Sequence, residues 1–489
     1  MSKFHSIVSR RDFMKVLGLA GAGVGGAAAV AANFHDLDEL TASADAIGKR
    51  AWWVKERELF NPTVDVDWDL MQRFDRRNNT QNAPTRKIYY GAERVDSADA
   101  KGDAAEASFI QTKTPGFSHK MVALRNAIFR EEAFDMTFEG PKNGYFEEAP
   151  TPDVLGVAKW AGTPEEASKM LRAAMRVFGG AWAGFADLDS RWRNKLIISH
   201  TTKNTARIVY EDVDKGYLAK DDTKVMKEKW VIPNKQMYLI VNTSPEPIAH
   251  DKTAPSALAK ANAMGNIFSH TAYASLWNFL HGLGYNMLGA WGHQTDHTNV
   301  GAAATLTGIS EMSRRGLYIL TPELGPYGNT QTGITDLPLA PSNPIDAGMF
   351  KFCHTCFQCA NACPPQNISH DKEPSFEVPP TEGKETIFHA IGPKMFWAND
   401  AMCTTFRGES GYGACCICHG SCTFSTNKGA MVHELIRGTV STTSLFNSFF
   451  FKMAEPFGYG RYDDPESWWD MNLPVFGVDT TITSSKALH

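Results

Sequence analysis

The chain has 489 residues, 43% of them hydrophobic and 21% charged, with a formal net charge of −5. That is enough to bury one large core or two to three ordinary ones, and it excludes an intrinsically disordered chain. No basic block is present, so a nucleic-acid surface is excluded on electrostatic grounds.

At the N-terminus, Ser9-Arg10-Arg11-Asp12-Phe13-Met14-Lys15 precedes a soft Gly- and Ala-rich run, Val16 to Ala32. A basic start, a modest apolar stretch and small residues for cleavage are the layout of a twin-arginine export signal, here residues 1–44. Ala42-Ser43-Ala44 and Ala29-Val30-Ala31 are both acceptable cleavage sites. The run is short and weakly apolar for a membrane anchor. Because this export route carries folded proteins, it predicts a cofactor inserted before export.

Residues 45–155 are polar and turn-rich, and read as an irregular N-terminal region wrapping the body. Thr163-Pro164-Glu165-Glu166 is a capping box with Pro at the first helical position. Met170, Leu171, Ala174, Met175, Val177 and Phe178 then follow helical spacing. Short β-type runs come next at Lys195–Ser199, Arg207–Tyr210 and Met237–Val241, followed by a helical pattern over about Ser256–Leu283. This alternation predicts an α/β core over 156–345. TDLPLAP at 335–341 is a Pro-punctuated connection into a metal-binding segment, 346–430, and an aromatic tail, 431–489, packs back over the body.

All nine cysteines lie between Cys353 and Cys422. A disulfide framework would spread its bridges, so this clustering points to a metal site. Cys353-x2-Cys356-x2-Cys359-x3-Cys363-Pro364 is the bacterial ferredoxin spacing, in which three thiolates hold one [4Fe–4S] cluster and the fourth serves a second. Zinc calls for separated C-x2-C pairs instead. Cys415-x2-Cys418-x3-Cys422 has the ferredoxin end-spacing, with Cys403 in place of the usual first cysteine. Two cubane clusters need eight thiolates, and Cys416 is the expected spare, although Cys415 and Cys416 could exchange roles. Ferredoxin logic groups Cys353, Cys356 and Cys359 with Cys422, and Cys403, Cys415 and Cys418 with Cys363.

With the leader and the cysteines, an ordered set of markers spans nearly the whole chain. They are Gly282-Leu283-Gly284-Tyr285, Ile309-Ser310-Glu311-Met312-Ser313-Arg314, Leu320-Thr321-Pro322-Glu323-Leu324-Gly325-Pro326, TDLPLAP and Pro344-Ile345-Asp346-Ala347-Gly348. Together they resemble the respiratory corrinoid and iron–sulfur reductive dehalogenases of organohalide-respiring bacteria, the chloroethene-reducing members in particular. The resemblance implies an α/β (α+β) corrinoid-binding core of nitroreductase-like type with an inserted or C-terminal ferredoxin-like 2×[4Fe–4S] domain. It implies a cobalamin-type corrinoid bound base-off, and the absence of a D-x-H-x-x-G motif agrees. The implied reaction replaces chlorine by hydrogen with two electrons and one proton, on tetrachloroethene or trichloroethene, using Co(I) corrinoid fed by two clusters. A chlorinated aromatic substrate, or a bare exported electron-transfer subunit, is the alternative. Implied partners are a small membrane-anchor protein, a respiratory electron donor and a second copy of the chain, at the outer face of the cytoplasmic membrane.

In the family a Tyr gives the proton and a nearby cation stabilises its phenolate, which a hydroxyl with a reference pKa near 10 requires. Arg314 matches the family's Arg, with Arg315 as fallback. Counting back from Leu283, the family's Tyr position falls on Asn266. Asn266, His270 and Tyr273 share a helix face, so Tyr273 is the expected acid with His270 beside it, and Asn266 alternatively orients substrate. Tyr285 reads as structural. Trp291 is the expected pocket wall, and His293, Asp296 and His297 lie where the family approaches its corrinoid.

Overall fold

The computed structural model describes residues 50–128, 136–141, 148–201, 206–221, 228–260, 263–289, 297–316, 318–413, 415–426, 431–454 and 459–478. The twin-arginine leader lies outside them. Between residues 182 and 335 the chain supplies strands β1 (Trp182–Asp187), β2 (Ala206–Glu211), β3 (Tyr217–Lys220), β4 (Glu228–Pro233), β5 (Tyr238–Pro245), β6 (Met287–Leu288) and β7 (Gly328–Thr335). They form a four-stranded sheet, β1–β5–β7–β6, antiparallel throughout, and a three-stranded sheet, β2–β4–β3, in which only β2 and β4 run parallel. The core is therefore α+β rather than a wound parallel sheet.

Helix α1 (Pro164–Phe178) opens on the capping box. Thr163 Oγ1 accepts from the Glu166 amide at 3.2 Å, and Glu166 Oε2 accepts from the Thr163 amide at 2.8 Å. It buries Ala167, Leu171 and Met175, whereas Val177 stays exposed. The pattern read over 256–283 appears as a short helix, Ala257–Lys260, and the long α2 (Ala263–Gly282). Both α1 and α2 pack on one face of the larger sheet. There Phe185, Ile240 and Met287 join Leu171, Met175, Tyr273 and Leu276 in one apolar cluster.

Two expectations need correction. Lys195–Ser199 does not form a strand. Trp192–Leu196 is a π-helical turn instead, with Arg193 donating to the carbonyls of Leu188, Pro233 and Lys235 at 2.7–3.2 Å, and only Ile197 bridges to Thr298. The segment before residue 155 is not irregular either, since it holds helices Ala83–Tyr90, Ala92–Gln111 and His119–Ile128. Ala92–Gln111 reads as polar because it buries only Val95, Ala98 and Ala105. It lies against the helix Asp400–Ser410 at a crossing of glycines, where a Cβ on Gly408 would stand 2.5 Å from the Ala98 carbonyl oxygen. Such contact needs small residues rather than an apolar stripe, and small residues carry no periodic signal.

The cysteine segment has no separate core at its first thiols. Phe352, Cys353 and Cys356 pack in the same apolar cluster as Trp192, Val241, Ile334 and Phe450, so one continuous interior runs from the sheet to the thiols. No helix among the described residues is long and apolar enough to cross a membrane.

Candidate functional site

Cys353 ends the short helix Met349–Cys353 and Cys359 lies in the helix Gln358–Ala362. One pocket is lined by Cys353, Cys356, Cys359 and Cys422, and Cys418 also borders it. Burial pushes all four thiols above their ordinary range, and proximity adds to this: Cys353 is raised by Cys356 and Cys422, and Cys422 by Cys356 and Cys359. The others form a second set. Cys415, raised to about 11, and Cys418, raised to about 12, owe this first to burial, and both also feel Cys403 and Cys363. Cys418 also bears on Cys359 and Cys422, so the two quartets adjoin.

Neither quartet suits zinc. Four ligands to one zinc converge within about 2.3 Å of a point. Among the described residues no three His, Cys, Asp or Glu side chains are grouped to hold a single ion. Cys416 bears on Cys415 and Cys418. Its backbone is left-handed (φ 48°), its side chain is buried beside Ala254, Ala259 and Ile417, and its thiol donates to Asp251. Asp251 also accepts from His419 Nδ1 at 3.0 Å, with both side chains 3% exposed. His419 lines the first quartet's pocket, with its ring against Tyr318.

Arg314 does not stand beside Tyr273 as a phenolate's cation. Its side chain is fully buried, and every N–H of its guanidinium is directed to a backbone carbonyl. Nε donates to Cys353 and Cys356 at 3.0 and 2.9 Å, Nη1 to Ser369 and Asp371 at 2.9 and 2.7 Å, and Nη2 to Cys353 and His354 at 2.6 and 3.4 Å. A planar fork with five donors suits this bracket, because it ties the end of the helix bearing Cys353 to Ser369 and Asp371 further along the chain. The fallback, Arg315, is taken too: it pairs with Asp400 at 2.6 Å near Cys403 and Cys418.

Tyr273 sits on α2, 2% exposed. Asn266 and His270 fall on the same helix, but their side chains lie outside the described residues, as do Trp291, His293 and Asp296. Tyr273 and His297 meet at Gly289. A Cβ there would lie 2.7 Å from the Tyr273 hydroxyl and 3.0 Å from His297 Nδ1, and with φ at +120° only glycine is comfortable. His297 is fully buried, and neither ring nitrogen has a hydrogen-bond partner among the described residues. Burial, and then the Arg76 cation, lower it to about 3, so it is a neutral imidazole at physiological pH.

The sheet holds residues that sequence reasoning missed. Asn242 on β5 and Gln331 on β7 are directly opposite each other, on the face that carries Ile240 and is covered by α1 and α2. Both are buried, and neither side-chain amide has a partner among the described residues. Polar residues at the inward positions of Tyr238–Pro245 were a readable signal, since alternation there predicts apolar side chains.

A family model for reductive dehalogenase subunits matches residues 49–339. The chain belongs to the reductive dehalogenase family. It is accordingly an oxidoreductase acting on carbon–halogen bonds, and the reading as a bare electron-transfer subunit falls away. It is 30% identical to a chloroethene reductive dehalogenase of Dehalococcoides mccartyi (strain VS), over 98% of this chain and 99% of that one. It is 29% identical to a trichloroethene reductive dehalogenase of another strain of that species, with the same coverage. A tetrachloroethene reductive dehalogenase of Sulfurospirillum multivorans is 27% identical over 65% of this chain and 61% of its own. Among solved structures, a catabolic reductive dehalogenase in complex with 3-bromo-4-hydroxybenzoic acid shares the fold, with a TM-score of 0.56 and 17% identity. A reductive dehalogenase structure described in terms of B12-dependent dehalogenation gives the same values. This chain covers 50% of each of those two, and 85% of itself is aligned.

Proposed function

We propose that this reductive dehalogenase replaces chlorine by hydrogen on a chlorinated ethene, R–Cl + 2e⁻ + H⁺ → R–H + Cl⁻, with a corrinoid and two [4Fe–4S] clusters as cofactors. The observation that carries the reading is the gathering of eight buried or half-buried thiols at one end of the apolar interior, with Cys353 and Cys356 inside the sheet's own cluster.

The residues fit these groups. Thiols held this close repel one another as thiolates, so they stay protonated alone and would release protons on binding a cationic cluster. Cys353, Cys356, Cys359 and Cys422 would hold one cluster, and Cys363, Cys403, Cys415 and Cys418 the other. For the corrinoid, Asn242, Gln331 and His297 present buried polar atoms that protein groups among the described residues do not satisfy, which suits a large ligand fringed with amides. The corrinoid, when bound, supplies the reducing centre that cleaves the carbon–halogen bond. Tyr273 is the proton donor in this reading, with its hydroxyl fixed against Gly289. His297, neutral beside it, is able to accept from that hydroxyl without adding charge. Arg76, the cation that bears on His297, takes the place the sequence assigned to Arg314. Buried apolar side chains on α2 exclude water from the proton's path, and Asn266 orients substrate.

Chlorinated ethenes are the proposed substrates because the two relatives covering nearly the whole chain carry chloroethene and trichloroethene in their names. Export by the twin-arginine route, docking to a small membrane protein and electron supply from a respiratory donor complete the proposal. The test is cobalt, iron and sulfide per chain after anaerobic maturation with corrinoid, followed by chloride release. One cobalt with about eight iron and chloride from trichloroethene is the expected result. Eight iron without cobalt, or no chloride from any chloroethene, overturns it.

A further inference from the structure

Arg314 and Arg315 are consecutive, yet they serve different quartets. Arg314 is hydrogen-bonded by carbonyls, and among the described residues no carboxylate pairs with it, although Asp371 bears on it, so a positive charge without an ion pair stands buried beside Cys353, Cys356 and Cys359. Arg315 borders the same pocket but bears on Cys403 and Cys418, and its charge is offset by Asp400 at 2.6 Å. Other charges also lie near the thiols. Asp251 bears on Cys416, and Arg407, which bears on Cys415, is half-exposed and open to screening by water.

We propose that the two arginines are separate potential-setting residues, one for each cluster, with Asp400 attenuating the second. This rests on the two-cluster reading above. A cluster gains one negative charge on reduction, and a fixed buried cation favours the reduced form, because a low-dielectric interior weakens its field little. Arg314 thus makes the Cys353/Cys356/Cys359/Cys422 cluster the easier to reduce, and the paired Arg315 acts more weakly on its own.

The test is an anaerobic redox titration of the holoenzyme followed by electron paramagnetic resonance. Signals are assigned with Cys359→Ser and Cys403→Ser, and iron is counted in every sample. Arg314→Gln is expected to lower the reduced-to-oxidised ratio of the first cluster at least tenfold at fixed potential, which is 59 mV for one electron, and to leave the second unmoved. Asp400→Asn is expected to raise the second cluster alone, and it tests the division even if Arg314→Gln does not fold. The proposal is overturned if the clusters move together, or if neither moves in variants that keep the full iron. A wild-type protein without two clusters would refute the cofactor reading instead.

Discussion

The arginines at one end of the interior and the amides at the other are held in opposite ways. At the thiols, Arg314 spends every donor on the backbone and Arg315 is paired, so the charged groups there are held by the protein itself. At the sheet, the side chains of Asn242, Gln331 and His297 are equally buried but make no hydrogen bond among the described residues. Leaving a buried polar group unmade costs about 1–3 kcal/mol, so a fold keeps several together only where something else satisfies them. The comparison teaches that the thiol end, the electron-carrying one in the proposed function, holds its arginines in fixed brackets. The sheet end, the proposed catalytic one, is built as half of a binding surface.

The sharpest way to break that contrast is at the thiols. Cys403→Ser is expected to lose about half of the iron and all dechlorination, because four ligands define each cubane. Cys416→Ser is expected to keep both, since this thiol is turned to Asp251. Iron per chain and chloride release measure each variant, and a loss of iron in the Cys416 variant would reverse the assignment.

At the catalytic end, Tyr273→Phe removes a hydroxyl and little volume. A general acid contributes about 10²–10⁴-fold, so dechlorination should fall by that factor with cobalt and iron unchanged. An unaltered rate would move the proton donor elsewhere on α2.

These two predictions differ in how far the sequence could reach. The clustering of the thiols was legible because metal-ligand spacing is a local property, and a thiol's identity is its chemistry. Helix α1 was legible for the same reason, since its cap, its first-turn Pro and its stripe lie within fifteen residues. Arg314 was misjudged because an arginine's role depends on what lies opposite, here carbonyls some forty to sixty residues downstream. Ala92–Gln111 was missed because it packs through small residues and a glycine crossing rather than through bulk. The meeting of Tyr273 with His297 depends on the backbone of Gly289, to which neither residue points in sequence.

Gly289 offers a smaller test of the catalytic end. Gly289→Ala forces a side chain into a left-handed backbone, with the Tyr273 hydroxyl 2.7 Å from its Cβ. Strain of that kind costs about 1–3 kcal/mol. The expected outcome is a matching loss in urea stability, with iron content retained and dechlorination reduced as Tyr273 is displaced. Unchanged stability would show that the hydroxyl and the ring are free to withdraw.

The smallest expected effects, at most about 1.4 kcal/mol per pH unit for one group, set the two ends against each other. Glu311 is fully buried where its Oε2 accepts from the amides of Ala347 and Met349 at 3.0 and 2.9 Å, at the start of the helix bearing Cys353. Burial raises it from 4.5 to about 7 in spite of those bonds. The folded protein therefore holds this proton more tightly than the unfolded chain, and stability falls as pH rises from 4.5 to about 7. His297 has the opposite sign. Its folded value of about 3 lies below 6.5, so its stability is present above pH 6.5 and is lost as pH falls toward 3. Between pH 4.5 and 6.5 the two slopes oppose each other in the wild-type chain. In urea titrations of the reduced protein across that window, Glu311→Gln should become more stable as pH rises, and His297→Gln less stable. Parallel slopes in both variants would mean that the protons belong to other groups, and that the two ends are not electrostatically distinct.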